Sequence, residues 1–335
     1  MTNRVCRLKS RPFGMTTREN FEIADEPMPT PGPGEFRVKV HAVSLDPAMR
    51  GWMSEGRSYV PPVQIGEVMR AYAAGIVEES NHDGYRPGDA VMGLFGVQEH
   101  AISNGTFVHK IDPTQAPMER WVGGLGMPGW TAYFGTMEIL HPEAGQTLVV
   151  SAASGAVGSL VGQIGKLRGA TVIGIAGGAE KCRYITGELG FDAAIDYKSE
   201  DVAKRLAELT PDRVHMYFEN VGGKIGNAVM HRMATFGRVA VCGLISAYNE
   251  TDPSKVGYDA GAQRSILVNR LKIQGFIVFD FAKQMREAIG HLGKWHAEGK
   301  LKMREDVREG GVDAFPDTLN MLYTGENFGK LVLKL

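Results

Sequence analysis

The sequence predicts an α/β protein in two parts, a doubly wound parallel sheet and a smaller β-rich domain. Three observations carry that expectation. From Gln146 onward, short apolar runs alternate with helical stretches, the pattern of a parallel sheet covered on both faces. The first third shows period-2 alternation instead, with prolines leading into it. The chain has 335 residues, and chains of this length divide into domains of roughly 100–200 residues each.

In chain order, Pro29, Pro31 and Pro33 keep an extended approach to a first strand. In that strand Phe36, Val38, Val40 and Ala42 alternate with Arg37, Lys39 and His41, the signature of one buried and one wet face. Residues 73–78 read as a second strand. Arg86-Pro87-Gly88-Asp89 is a turn, with proline presetting one dihedral and glycine supplying the tight geometry. Residues 91–102 resume a strand-rich pattern. The character changes near residue 125. Strands are expected at 147–152, 171–176, 214–218, 238–245 and 271–279, with helices at 157–168 and 180–189. Residues 328–335 form a last strand that can return to the first domain. The division expected is therefore 1–124, completed by about 300–335, and 125–299.

Composition narrows the functional classes. Hydrophobic residues make up 43% and charged residues 22%, enough for a core of ordinary density without cross-links. The formal net charge of −1 gives no general attraction to nucleic acid or to an anionic membrane, and there is no basic stripe with interleaved aromatics. No apolar run is long enough to span a bilayer, and the first residues lead into no secretory signal. Cys6, Cys182 and Cys242 lie far apart, as suits reduced thiols in a cytoplasmic protein.

The most informative local pattern follows the apolar run at 147–150. There Ser151-Ala152-Ala153-Ser154-Gly155-Ala156-Val157-Gly158 spaces Ala152, Gly155 and Gly158 as a variant of the dinucleotide fingerprint. A strand precedes it, a helix follows, and another strand begins near Thr171. Small residues there let backbone amides approach a pyrophosphate, and the helix start offers unpaired N–H groups and positive dipole. Glycines that merely permit close helix–sheet packing would give the same spacing, but the complete βαβ setting favours a Rossmann cofactor domain. NAD-specific folds place Asp or Glu at the tip of the second strand. Here the tip reads Ile175-Ala176-Gly177-Gly178-Ala179, and Lys181 follows. A missing carboxylate and a nearby cation suit the 2′-phosphate of NADPH. Two charge-assisted hydrogen bonds of roughly 1.5–3 kcal/mol each would favour it by about two to four decades. Glu180, beside Lys181, works against that effect.

Nine histidines and three cysteines show no Cys-x-x-Cys and no Cys/His pair at zinc spacing, so no metal is expected. Lys181 could lower the thiol pKa of Cys182; a partly buried helix cysteine is the plainer reading.

At this point the residues resemble a known family. Gly126-Met127-Pro128-Gly129-Trp130-Thr131-Ala132-Tyr133-Phe134-Gly135 and the turn at 150–159 are similar to zinc-free medium-chain dehydrogenases/reductases. Glu219-Asn220-Val221-Gly222-Gly223, Cys242-Gly243-Leu244-Ile245-Ser246-Ala247-Tyr248-Asn249 and Asn327-Phe328-Gly329-Lys330 follow in order, and Asp46-Pro47-Ala48-Met49-Arg50-Gly51 also fits. Together they resemble the prostaglandin reductase and alkenal double-bond reductase family, with the segment at 176–182 most like its bacterial curcumin reductase branch. The resemblance covers essentially the whole chain.

The resemblance implies a GroES-like substrate-capping domain beside the Rossmann domain, NADPH as cofactor, a homodimer, and reduction of the C=C bond of α,β-unsaturated ketones and aldehydes. It implies cofactor contacts at Ala152, Gly155, Ala156, Val157, Gly158, Gly178, Lys181, Tyr197, Asn220, Gly243 and Asn327, with Lys181 and Tyr197 at the 2′-phosphate and Asn220 toward the nicotinamide. Many relatives have serine where Gly178 stands, so the contact there is expected to be through backbone only or to be missing. Tyr248 matches the tyrosine that steadies the substrate oxygen. In the implied reaction, hydride reaches the β-carbon and the enolate charge is held by Tyr248 and the cofactor ribose; a tyrosine that only packs on the substrate is the competing role. Met53, Tyr59, Tyr248, Phe276 and Phe279 are expected to line an apolar substrate pocket, with 56–59 as a flap. Two alternatives stand beside this reading, an NADPH quinone reductase of the same superfamily and a non-catalytic NADPH-binding protein.

Overall fold

The computed structural model describes residues 2–335, which divide into two compact units, one formed by 2–123 and 305–335 and the other by 124–304. The first unit begins with β1 (Thr2–Leu8) and β2 (Phe21–Pro27), an antiparallel pair that stands outside the main sheet. It continues with β3 (Phe36–Ser44), β4 (Ala73–Ser80), β5 (Ala90–Gly93), β6 (His100–Ser103) and β7 (His109–Lys110). The second unit contributes β8 (Thr147–Ser151), β9 (Thr171–Ala176), β10 (Ala193–Asp196), β11 (Val214–Glu219), β12 (Met233–Val241) and β13 (Lys272–Gly275). The chain then returns to the first unit with β14 (Glu305–Arg308) and β15 (Lys330–Lys334).

In the first unit the main sheet runs β14-β15-β3-β4-β5-β7, with β6 also on β3. The alternation read in β3 is the one observed: Phe36, Val38, Val40 and Ala42 are buried, and Lys39 between them is exposed. Strand β15 pairs antiparallel with β3, placing Val332 beside Ser44 and Lys334 beside Ala42. A buried ion pair reinforces this join. The Lys330 ammonium donates to the Leu45 carbonyl at 2.6 Å and to Asp46 Oδ1 at 2.8 Å, while Ser44 Oγ donates to Asp46 Oδ2 at 2.5 Å. Burial pushes the Lys330 pKa down and Asp46 pulls it back up.

In the second unit all six strands are parallel, in the order β10-β9-β8-β11-β12-β13. Numbered from β8, that is 3-2-1-4-5-6, the doubly wound order whose crossovers diverge between its first and fourth strands. Its core gathers Val149, Ile173, Ile175, Ile195, Val214 and Tyr217 from the strands with Leu206, Val229 and Met230 from the covering helices. Gly162 lets the helix Gly158–Leu167 seat against Phe191, whose ring stands 1.8 Å from where a Cβ would be.

Three expected strands prove shorter. The stretch 91–102 breaks between β5 and β6 at Gly96, whose φ of +76° leaves the extended region. The stretch 238–245 ends as strand at Val241, because the Cys242 and Gly243 amides both turn onto the Glu219 carbonyl, at 2.9 and 3.1 Å. The stretch 271–279 is strand only over β13. Beyond Gly275 its neighbour β12 has already turned away, and Phe276 packs edge-on to Phe218 at 6.2 Å.

The Lys330 join makes a direct test of the first unit. Lys330→Ala leaves Asp46 buried without its partner and is expected to cost about 3–5 kcal/mol by urea denaturation. Replacing both partners by apolar residues, as in Lys330→Met with Asp46→Leu, is expected to recover most of that loss.

Candidate active site

The sheet of the second unit leaves a row of strand tips at its carboxyl edge, and most residues singled out in the sequence stand there. Strand β8 ends in Ser151, and the chain turns at Ala152, which adopts a left-handed φ of +49°. The Ala152 carbonyl accepts the Gly155 amide at 3.0 Å, closing the turn. A Cβ at Gly158 would come 2.4 Å from that carbonyl, so glycine is required for the helix to start this close to the strand. The helix Gly158–Leu167 has no side-chain cap, and the Val157 and Gly158 amides meet no acceptor among the described residues. Unpaired amides at a ten-residue helix's start, behind a turn too tight for a side chain, fit a dinucleotide pyrophosphate.

At the next tips, β9 ends in Ala176 and β10 in Asp196. Gly177 lies under Tyr197, whose hydroxyl stands 2.8 Å from where a Gly177 Cβ would be. Gly178 has a φ of +97° and precedes the helix Ala179–Gly187, which carries the half-buried Lys181 in its first turn. Tyr197 is 44% exposed. Tyr197 and Lys181 therefore share one edge of the sheet.

The Gly178 amide, where a contact through backbone only or none is expected, donates to Asp196 Oδ1 at 2.7 Å. That carboxylate also accepts the Lys198 amide and the Ser199 hydroxyl, and these bonds, the Gly178 one foremost, hold its pKa below the usual range. Asp196 was not singled out in the sequence, since it ends the third strand rather than the second.

On the other side of β8, strand β11 ends in Glu219 and hands over to Asn220. The Asn220 amide donates to Ser151 Oγ at 2.9 Å and its side-chain Nδ2 to the Ser151 carbonyl at 2.8 Å, linking the tips of β8 and β11. Glu219 is fully buried. Its Oε1 accepts Tyr217 Oη at 2.7 Å, the Val221 amide at 2.8 Å, the Gly222 amide at 2.9 Å and Ser151 Oγ at 3.0 Å. Its Oε2 has no partner and would lie 2.4 Å from a Cβ at Gly226. Motif spacing alone gives neither Glu219 nor Ser151 a role. The signal was available: a carboxylate closing an otherwise apolar strand, Val214-His215-Met216-Tyr217-Phe218-Glu219, needs buried donors.

After β12 the chain makes a 3₁₀ turn, Ile245–Ala247, that leads into Tyr248. The Ile245 amide donates to the Asn220 carbonyl and the Ser246 amide to the Val221 carbonyl, at 3.1 and 3.0 Å. The Tyr248 hydroxyl folds back and accepts the Leu244 amide at 3.2 Å, over Gly243, where a Cβ would crowd it at 3.1 Å. This bond uses an oxygen lone pair and not the hydroxyl hydrogen. Asn220, Gly243 and Tyr248 are thus one hydrogen-bonded assembly.

The remaining expectations divide. Phe276 is buried and packs edge-on to Phe218, and Met53 has no exposed surface and belongs to the first unit's apolar cluster. Tyr59 is 48% exposed and accepts the Trp52 indole N–H at 3.0 Å. Phe279 is half-buried in the turn Val278–Gln284. Asn327 lies just before β15 in the first unit, its Nδ2 donating to the Gly329 carbonyl at 3.0 Å. Lys181 does not activate Cys182. Burial, followed by Asp196 and Glu200, pushes that thiol up to about 11, and burial and Glu219 push Cys242 up to about 12. Among the described residues no three His, Cys, Asp or Glu side chains gather as a metal site would need.

Comparison with known proteins agrees with this geometry. Residues 4–111 match the N-terminal domain of oxidoreductases, and residues 156–294 match the family described as zinc-binding dehydrogenase. The chain is 44% identical to the NADPH-dependent curcumin reductase of Escherichia coli, covering 99% of this chain and 97% of that one. It is 38% identical to prostaglandin reductase 1 of Mus musculus, covering 98% and 97%. Among solved structures, CurA from Vibrio vulnificus in complex with NADPH matches with a TM-score of 0.93 at 44% identity, covering 99% of this chain and 98% of that one. A quinone oxidoreductase of Pseudomonas syringae shares the fold at 22% identity, with a TM-score of 0.80. The chain belongs to the medium-chain dehydrogenase/reductase family, in its branch of prostaglandin and curcumin reductases.

Proposed function

We propose that this protein is an NADPH-dependent reductase of the C=C bond of α,β-unsaturated ketones and aldehydes. The observation that carries the reading is the assembly at the tips of β8, β11 and β12, where unpaired helix-start amides, Asn220 and Tyr248 stand along one sheet edge in a chain 44% identical to a curcumin reductase. The chemistry NADPH supplies when bound is a hydride, transferred to the β-carbon of the conjugated substrate.

The chain's own residues do the rest. The Val157 and Gly158 amides, with Ala152, Gly155 and Ala156 keeping the turn small, hold the pyrophosphate. Lys181 and Tyr197 take the 2′-phosphate, Lys181 as the charge-assisted donor. Asn220 and Gly243 border the nicotinamide half, and Asn327 adds a contact from the C-terminal segment. The Tyr248 hydroxyl donates to the substrate carbonyl oxygen as negative charge develops there. The bond that hydroxyl accepts from the Leu244 amide polarises it and strengthens it as a donor. Tyr59 and Phe279 supply apolar surface for the substrate.

We further propose a cytoplasmic homodimer. In support, no helix of the described residues is long and apolar enough to cross a membrane, and the three cysteines are unbridged. Strand β13 is an unpaired edge of its sheet. Leu267 (78% exposed), Val268 and Phe236 lie in the segments around it.

The reading is tested by following cofactor oxidation with a medium-chain alkenone and, in parallel, a simple quinone, using NADPH and then NADH. A saturated ketone product with NADPH and little use of NADH is expected. Turnover of the quinone alone would move the assignment to a quinone reductase, and binding without turnover to a non-catalytic protein. Lys181→Ala is expected to raise the KM for NADPH by roughly tenfold to a hundredfold, the loss of one charge-assisted bond, with the KM for NADH unchanged. Tyr248→Phe is expected to lower kcat by less than the roughly 10²–10³-fold typical of removing one such donor, because a second donor remains in the cofactor ribose.

A further inference from the structure

Glu219 is the one fully buried carboxylate at the strand tips of the second unit, and the roles assigned so far do not use it. An ionisable group taken fully out of water is costly unless its oxygens are hydrogen-bonded. Here the donors converge on one side. Oε1 receives the Val221 and Gly222 amides, Tyr217 Oη and Ser151 Oγ, while Oε2 receives none. A group that served only to complete the core would be replaceable by an apolar side chain of similar volume. What Glu219 does, and an apolar residue could not, is hold two amides of the Asn220–Gly223 turn and one hydroxyl at the end of β8.

Those partners lead outward to the two residues proposed to face the reaction. Ser151 Oγ, donating to Glu219, accepts the Asn220 amide at 2.9 Å, and the Asn220 side chain is tied to the Ser151 carbonyl at 2.8 Å. The carboxamide keeps Oδ1 with no protein partner among the described residues. The Val221 carbonyl, on the turn whose amides Glu219 holds, accepts the Ser246 amide and Ser246 Oγ, at 3.0 and 2.6 Å. The Glu219 carbonyl accepts the Cys242 and Gly243 amides, so both ends of the segment that carries Tyr248 are fastened to the same three residues. Gly226 is kept free of a side chain where Oε2 lies.

We infer that Glu219 is a positioning residue for the nicotinamide half of the site, acting through Ser151 and the 220–222 turn to aim Asn220 and to seat the Tyr248 segment. The inference rests on the NADPH-dependent reading above. It concerns one half of the cofactor only, because the groups Glu219 holds, Ser151, Tyr217 and the Val221 and Gly222 amides, belong to β8, β11 and the turn beyond.

The test compares two ligands by calorimetry on the purified full chain: NADPH, and adenosine 2′,5′-bisphosphate as a probe of the adenosine half alone. Glu219→Gln keeps the shape, removes the charge that strengthens the four bonds to Oε1, and sets an amide where no acceptor stands. It is expected to weaken NADPH about tenfold, as loss of charge assistance at one hydrogen-bonded group would, and to leave adenosine 2′,5′-bisphosphate within about twofold. In the reductase assay kcat is expected to fall with it. Ser151→Ala, which leaves the carboxylate with its Val221, Gly222 and Tyr217 bonds and removes both the Oγ bond to Glu219 and the Oγ acceptor of the Asn220 amide, is expected to show the same selective loss and serves if the glutamine variant does not fold. Equal weakening of both ligands, or of neither, would overturn the positioning role in favour of a purely structural one. A wild-type chain that fails to bind NADPH would instead overturn the functional reading on which the inference stands.

Discussion

Where the crossovers of a doubly wound sheet diverge, the strand tips leave backbone amides that no further strand can satisfy, and the second unit is organised around that constraint. Between β8 and β11 the solution has two halves. On the β8 side the Val157 and Gly158 amides meet no acceptor among the described residues, behind a turn made tight by Ala152 in a left-handed conformation and by the absence of a Cβ at Gly158. On the β11 side the amides of Val221 and Gly222 are absorbed by a buried carboxylate. One half therefore keeps free donors and the other has its donors taken up by a buried side chain.

The same logic distinguishes the two ends of the cofactor. At β9 and β10 the strand tips carry glycines, one exposed tyrosine and a lysine, and the one carboxylate present, Asp196, is turned onto the Gly178, Lys198 and Ser199 donors. Its charge is spent on the turn. An acid that stood unpaired in this place would repel a 2′-phosphate; an acid bound to local donors is compatible with one, and it also fixes the glycine that starts the Lys181 helix.

Much of this was legible in the residues. The order of apolar runs and helices predicts the sheet, the Ala152-Gly155-Gly158 spacing locates the phosphate turn, and the lack of an acid at the tip of β9 points to the 2′-phosphate. Less legible was everything that depends on a neighbour. The strands at 238–245 and 271–279 end early because Cys242 and Gly243 find the Glu219 carbonyl. That Met53 and Phe276 are buried was not legible, because an apolar side chain near a motif reads the same whether it faces a ligand or a core. Strands β1, β2 and β10 are not legible in the sequence because charged and small residues interrupt their alternation, as in Thr2-Asn3-Arg4-Val5-Cys6-Arg7-Leu8.

Taken by itself, then, the sequence determined the fold class, the family and the tight turn after β8, since each depends on short-range spacing: a strand-length apolar run, a helix period, a turn with no room for a side chain. Tertiary structure alone decided which polar groups are consumed and which remain. Gly178 loses its amide to Asp196, Tyr248 folds its hydroxyl onto Leu244, and Glu219 gathers four donors from β8, β11 and the turn beyond. The physical reason is that a hydrogen bond requires its partner within about 3 Å, and partners this far apart along the chain are brought within reach only by the order in which the strands pack.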